Sequence, residues 1–270
     1  MAEQKVIVIT GTSSGIGEAV ALLLAQAGHL VYGGPRREGT TSVPNLKNRT
    51  VDVSDDASVS SFVDGVLSET GRIDVLINNA GVSLLGPIEI TQSQEVSWVF
   101  DTNVLGRLRL IRAVLPSMRT RKSGLIINVS SVLGFLPAPF MGVYAASKHA
   151  LEGLSESLDH EIRNFGVRVV LLEPTFTNTN LDVNATQTAA PLGAYASQFQ
   201  ATISAVQGQI KSAPSAQFVA EKIADVIDGP YKLRQPVGKN ATLLSRLRRF
   251  MPAKAVDGSL RKTFGFAKKI

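Results

Sequence analysis

The sequence predicts an α/β fold in which a parallel sheet is doubly wound, with helices on both faces. Three observations predict it. Short apolar runs alternate with helix-period segments along most of the chain, the pattern of strand–helix–strand crossovers. A glycine-rich turn joins the first apolar run to the first helical segment. No internal repeat or long linker divides the 270 residues, 44% of them hydrophobic, so residues 1–270 are expected to form a single domain.

Residues 5–10 read as a short buried strand. Thr10-Gly11-Thr12-Ser13-Ser14-Gly15-Ile16-Gly17 follows, then a helical pattern over 18–27 that Gly28 stops. Glycines spaced Gly-x-x-x-Gly-x-Gly let the backbone turn sharply and approach a ligand. The free N–H groups of the helix start then face a diphosphate. Residues 30–34 are a second strand. A dinucleotide fold often places an acid about here for the ribose 2′-hydroxyl, but Pro35, Arg36 and Arg37 follow. A guanidinium pairs with a 2′-phosphate that a carboxylate would repel, so the sequence favours NADP(H) over NAD(H). Gly39 and Pro44 leave little helix in 38–48. Residues 50–53 read as the third strand, 55–69 as a helix and 73–77 as the fourth strand. That strand ends in Asn78-Asn79-Ala80-Gly81, small and amide residues suited to a cofactor crevice. Residues 94–118 form one long helix containing Asn103 and Gly106. The fifth strand is 125–129, the next helix 144–164, and the sixth strand 167–172, closed by Glu173-Pro174. Residues from about 175 to 211, rich in Ala, Thr, Asn and Gln, read as a mobile substrate lid with some helix. A helix over 215–228, a last strand over 232–237 and two short amphipathic helices in about 240–270 complete the chain.

Composition narrows the chemistry. There is no cysteine, hence no disulfide, thiolate nucleophile or zinc–thiolate site. No His/Asp/Glu cluster has metal-ligand spacing, no metal is expected, and no serine has a nearby histidine base. His29, His149 and His160 read as structural. No signal-peptide pattern is present and no apolar run approaches the ~18 residues of a membrane span, so a cytoplasmic protein without a transmembrane segment is expected. The net charge of +6 is uneven: Arg246, Arg248, Arg249, Lys254, Arg261, Lys262, Lys268 and Lys269 face only Asp257 near the C-terminus. That tail is either simply solvated or a helix laid on the protein, a membrane surface or a partner subunit. The aromatic interleaving of a single-strand binder is absent, and no nucleic-acid partner is expected.

The organising stretch is Asn128-Val129-Ser130-Ser131, an apolar loop, then Tyr144-Ala145-Ala146-Ser147-Lys148. On a helix, Tyr144 and Lys148 leave the same face one turn apart. A tyrosine alone has a pKa of about 10. An ammonium within about 4–6 Å favours the phenolate and makes the pair a usable proton donor or acceptor near neutral pH. Ser131, at the end of the fifth strand, could hold a substrate oxygen against Tyr144.

Taken together, Thr10-Gly11-x-x-x-Gly15-x-Gly17, Asp52-Val53, Asn78-Asn79-Ala80-Gly81, Asn103, Ser131, Tyr144-x-x-x-Lys148 and Pro174 make residues 5–240 resemble the short-chain dehydrogenase/reductase family. Residues 144–158 are similar to its hydroxysteroid and retinol dehydrogenase branch. The resemblance implies a Rossmann sheet of about seven strands and a homodimer or homotetramer on the two long helices. Its catalytic tetrad falls on Asn103, Ser131, Tyr144 and Lys148. Cofactor contacts fall on Gly11, Ser13, Ser14, Gly15, Ile16, Gly17, Asp52, Val53, Asn79, Ala80, Gly81, Tyr144, Lys148, Pro174, Thr177 and Thr179, joined by Arg36 and Arg37. Asp52 matches the contact to the adenine amine, and Asn103 the holder of a water that resupplies the proton. One departure stands out: Thr175 and Thr177 follow Pro174, where glycine and then Val or Ile are common. The expected activity is NADP(H)-dependent interconversion of an alcohol and a ketone or aldehyde. Leu133, Phe135, Leu136, Phe140 and Met141, with Phe176, Leu181 and Phe199 of the lid, favour an apolar small-molecule substrate. The alternatives are a non-catalytic NADP-binding sensor or interaction protein, and an epimerase or dehydratase that recycles its cofactor.

Overall fold

The structure, a computed structural model, describes residues 3–36, 43–179, 181 and 185–266; Arg37, Lys268 and Lys269 lie outside these residues. Among them the strands are β1 (Val6–Thr10), β2 (Leu30–Gly34), β3 (Leu46–Asn48), β4 (Val75–Asn78), β5 (Leu84–Leu85), β6 (Gly124–Val129), β7 (Val167–Pro174), β8 (Thr186–Gln187) and β9 (Arg234–Val237). The helices are α1 (Gly15–Gln26), α2 (Asp56–Thr70), α3 (Ser93–Phe100), α4 (Gly106–Thr120), α5 (Gly142–Ile162), α6 (Ala196–Lys211), α7 (Ala216–Asp228), α8 (Lys239–Phe250) and α9 (Ala253–Thr263).

Seven strands form one parallel sheet, as expected, and their order is β3-β2-β1-β4-β6-β7-β9. Burial on both faces explains why its strands read as unbroken apolar runs. Ile7 and Ile9 of β1 pack with Val20 and Leu24 of α1 and Val219 and Ile223 of α7. Val6 and Val8 point the other way, against Val63 and Val66 of α2 and Leu110 and Val114 of α4. The chain leaves β1 for β2 on one side and returns to β4 on the other. That reversal opens a crevice at the C-terminal strand ends, where this architecture binds ligands.

Three expectations change. The third strand is Leu46–Asn48, not 50–53: pairing with β2 sets it, and residues 50–53 continue beyond the sheet. The long helix is real but broken by a wide π-helical turn, Asp101–Leu105, between α3 and α4. The lid is fastened near its middle. β8 pairs with β5, and Glu95 of α3 accepts hydrogen bonds from Thr188 Oγ1 and Ala189 N, both 2.9 Å. Phe199 is core, meeting Phe140 edge-on at 5.4 Å between ring centres.

Candidate active site

Tyr144 and Lys148 stand one turn apart at the start of α5, both buried, and both line a cleft at the C-terminal strand ends. Lys148 Nζ lies 5.5 Å from the centre of the Tyr144 ring and donates to Val129 O at 2.9 Å. Ser131 lies two residues past the end of β6 and lines the same cleft; its Oγ accepts from Leu133 N at 3.1 Å, which fixes the turn that carries it. The remaining wall includes Ile16, Asn79, Gly81, Pro174, Thr177 and Thr179 from the expected set, with apolar Leu133, Met141, Phe176 and Leu181. Phe135, Leu136 and Phe140 pack behind this wall.

Asn103 sits in the π turn, fully buried and outside the cleft lining. Its Oδ1 accepts from Val82 N and its Nδ2 donates to Val82 O, both at 2.9 Å. Nδ2 also reaches Ser147 Oγ at 3.1 Å, and that hydroxyl donates to Tyr144 O at 2.7 Å. The wide turn thus aims one amide at both the loop after β4 and the helix that carries the tyrosine.

The glycine-rich turn has the close approaches that a diphosphate site needs. Gly11 is left-handed (φ +71°), and a Cβ there would stand 2.8 Å from Ala80 Cα. A Cβ on Gly17 would stand 2.2 Å from Gly11 O. Asn79 Nδ2 donates to Thr10 O and Gly11 O at 3.0 and 3.1 Å, tying the end of β4 to the turn. Ser14 makes no side-chain cap at the N-terminus of α1, so its hydroxyl does not take up the first N–H groups of that helix, the groups a ligand phosphate would bind. Thr12 Oγ1 is buried without a hydrogen-bond partner among the described residues. These features fit a dinucleotide diphosphate along Ser13–Gly17. Arg36 is exposed just past β2. Asp52 and Val53 lie beyond β3, and Asp52 is held below the usual carboxylate range chiefly by the Ser54 hydroxyl and N–H, with a smaller pull from Arg36.

Three features escaped the sequence reading. Asn78, Asn128 and Ser155 form a buried chain of hydrogen bonds at 2.9 and 2.8 Å across β4, β6 and α5. Ser130 donates to Glu152, and Arg234 Nη1 binds both Glu152 and Glu173 while its Nη2 reaches Glu156. Burial and the Glu152 charge push Glu173 up to about 7. Arg107 is 3% exposed, with no carboxylate partner among the described residues; it donates to Asn103 O at 2.6 Å and to Val129 O, the oxygen Lys148 also uses, at 3.4 Å. Burial lowers Arg107 to about 10, against an opposing pull from Tyr144, so it stays charged at neutral pH. Its signal was a cation on the apolar stripe of a helix: Arg107, Leu110, Val114, Met118.

Residues 5–190 match the short chain dehydrogenase family. The chain is 41% identical over 182 residues to a 3-ketodihydrosphingosine reductase of Bacteroides thetaiotaomicron, covering 67% of each. It is 39% identical over 183 residues to retinol dehydrogenase 8 of Bos taurus, covering 63% of this chain and 58% of that one. A short-chain dehydrogenase from Streptomyces avermitilis superposes with a TM-score of 0.82 at 33% identity over 97% of this chain and 96% of that one. Two further solved relatives hold different cofactors: one from Burkholderia phymatum contains NAD (TM-score 0.79, 29% identity, 92% and 93% covered), and a metagenomic one contains NADP (TM-score 0.67, 27% identity, 85% and 95% covered).

Proposed function

The chain belongs to the short-chain dehydrogenase/reductase family, on the retinol- and hydroxysteroid-like side of it, and from that premise we propose that it interconverts an alcohol and a ketone or aldehyde with NADP(H), on an apolar substrate. The observation that carries this reading is the convergence of Ser131, Tyr144 and Lys148 on one cleft walled by Leu133, Met141, Phe176 and Leu181. Ser131 Oγ and the Tyr144 hydroxyl bind the substrate oxygen. In reduction, Tyr144 gives its proton to that oxygen as negative charge develops there; in oxidation it takes the proton back. Lys148 keeps a positive charge beside the phenol, and Asn103 fixes the helix turn that presents it. The nicotinamide, when bound, supplies or accepts the hydride. Gly11, Ser13, Ser14, Gly15, Ile16 and Gly17 would hold its diphosphate, Asp52 and Val53 the adenine, and Asn79, Ala80, Gly81, Pro174, Thr177 and Thr179 the nicotinamide end.

The similarity to a 3-ketodihydrosphingosine reductase adds long-chain keto-amines to the steroid-, retinoid- and aromatic-ketone-like candidates. The reading includes a single domain over 1–270, a cytoplasmic site of action and a homodimer or homotetramer on the long helices α4 and α5.

NADP preference rests on Arg36, since Pro35 offers the ribose neither an acid nor a donor. A charge-assisted hydrogen bond contributes about 1.5–3 kcal/mol, roughly one to two orders of magnitude in affinity. NADPH oxidation is measured with a panel of long-chain, steroid and aromatic ketones, with NADH in parallel. Arg36→Ala is expected to raise KM for NADPH about 10–100-fold and leave NADH nearly unchanged. Equal wild-type kcat/KM for the two cofactors would overturn the NADP assignment. NADPH binding without turnover of any substrate would favour a sensor.

A further inference from the structure

The outer face of α8 is apolar where a solvated surface helix would be polar. Leu243, Leu247 and Phe250, spaced i, i+4 and i+7, form one stripe and are 56%, 38% and 82% exposed. Lys239 and Arg246, four residues before and three after Leu243, border the stripe, and Lys254 lies in the first turn of α9. Among the described residues these three cations make no ion pair. From Lys239 to Lys262 the acid is Asp257 alone. The opposite face is anchored: Ala241 is fully buried, Leu244 packs in the cluster that contains Tyr144, Leu133 and Met141, and Arg248 Nε donates to Phe135 O at 3.3 Å. The helix is therefore fixed on the outside of the wall that closes the cleft, with leucine and phenylalanine turned away from the protein.

We propose that this face docks on an anionic lipid surface, with Leu243, Leu247 and Phe250 entering the boundary between headgroups and acyl chains and Lys239, Arg246 and Lys254 held among the headgroups. An apolar helix face edged by Lys and Arg is the arrangement that lies in a membrane interface. Long basic side chains can keep their charge at the headgroups while their stems cover apolar surface. Charge decides between this occupant and a second copy of the chain. Two such faces brought together would set Lys239, Arg246 and Lys254 of each against like charges, whereas anionic lipid attracts them. No helix of the described residues is long and apolar enough to cross a membrane, so the contact is peripheral. The inference takes its purpose, collecting an apolar substrate where it dissolves, from the proposed function. The docking itself does not depend on turnover.

The test is co-sedimentation of the full chain with sucrose-loaded vesicles, of phosphatidylcholine alone or of phosphatidylcholine mixed with phosphatidylglycerol. Binding at least tenfold stronger to the anionic vesicles is expected, falling sharply in about 1 M salt, where the screening length is ~3 Å. The doubly substituted Leu247→Glu/Phe250→Glu and, separately, Lys239→Glu/Arg246→Glu are each expected to lose at least tenfold in binding. Both should keep wild-type turnover of a water-soluble ketone, which separates a failed surface from a failed enzyme. Absence of binding to anionic vesicles, or wild-type binding by both variants, overturns the proposal. So does a dimer in solution that Leu247→Glu/Phe250→Glu dissociates, since the face would then belong to a second copy.

Discussion

Replacing Tyr144 by phenylalanine removes one hydroxyl from the cleft and leaves the ring that packs with Leu133 and Met141. The variant should bind NADPH as wild type does and lose turnover by about 10²–10⁴-fold, the range for a positioned acid-base group. Retention of more than about a tenth of wild-type kcat would sink the role given to Tyr144. Arg107 carries a second test at this scale. Its charge acts on the same phenol, and at an effective dielectric of about 20 a unit charge about 10 Å off contributes roughly 1.5–2 kcal/mol, or about one pH unit. Arg107→Met should therefore move the pH profile of alcohol oxidation upward by about one unit, with Arg107→Lys restoring most of the shift. A profile identical to wild type in Arg107→Met would show that the guanidinium serves packing alone.

Beside the β5–β8 pair, one carboxylate fastens the lid near its middle. Glu95 caps its own helix through Gln92 N at 2.8 Å and catches Thr188 and Ala189. Burial opposes its charge, but these hydrogen bonds prevail and its pKa is lowered. Glu95→Ala should free the segment after Leu181: protease cleavage within 185–195 should speed up and KM for an apolar ketone rise several-fold, with kcat less affected. Unchanged cleavage rates would mean that the β5–β8 pair alone holds the segment. The latch was not legible in the sequence, because Glu95 meets residues more than ninety positions away and β8 is only two residues long. The strands of the large sheet were legible, since burial on both faces writes them as apolar runs. β3 was not, because Leu-Lys-Asn has weak strand preference and takes its place from pairing with β2, whereas Thr50 to Val53 has the preference and no partner strand among the described residues. The Tyr144/Lys148/Ser131 arrangement was readable because helix periodicity and a strand end fix it locally. Asn103 was readable as a position but not as a geometry: nothing in the residues Asp101 to Leu105 announces the wide turn that aims its amide.

Across the whole molecule, α5, β7 and β9 meet at Arg234, which serves Glu152, Glu156 and Glu173. With its folded pKa raised to about 7, Glu173 binds a proton in the folded state that it releases in the unfolded chain at pH 5–7. Its contribution to stability is present below the unfolded value of about 4.3 and is lost as pH rises through about 7. The denaturation midpoint should accordingly fall between about pH 5 and 8, and Glu173→Gln should flatten that fall. A wild-type midpoint that is level or rising over this range would contradict the assignment. One packing contact of the fold has a temporal meaning as well. The inward face of α1, Val20, Ala21 and Leu24, is covered by Val219, Ala220 and Ile223 of α7, near the opposite end of the chain. At synthesis rates of about 5–20 residues per second, α7 emerges from the ribosome roughly 10–40 s after α1. Until then the part of that face which α7 covers stays open on the nascent protein, apolar surface beside the glycine-rich turn that a holding chaperone would recognise. A chain stopped at residue 214 would keep that surface indefinitely.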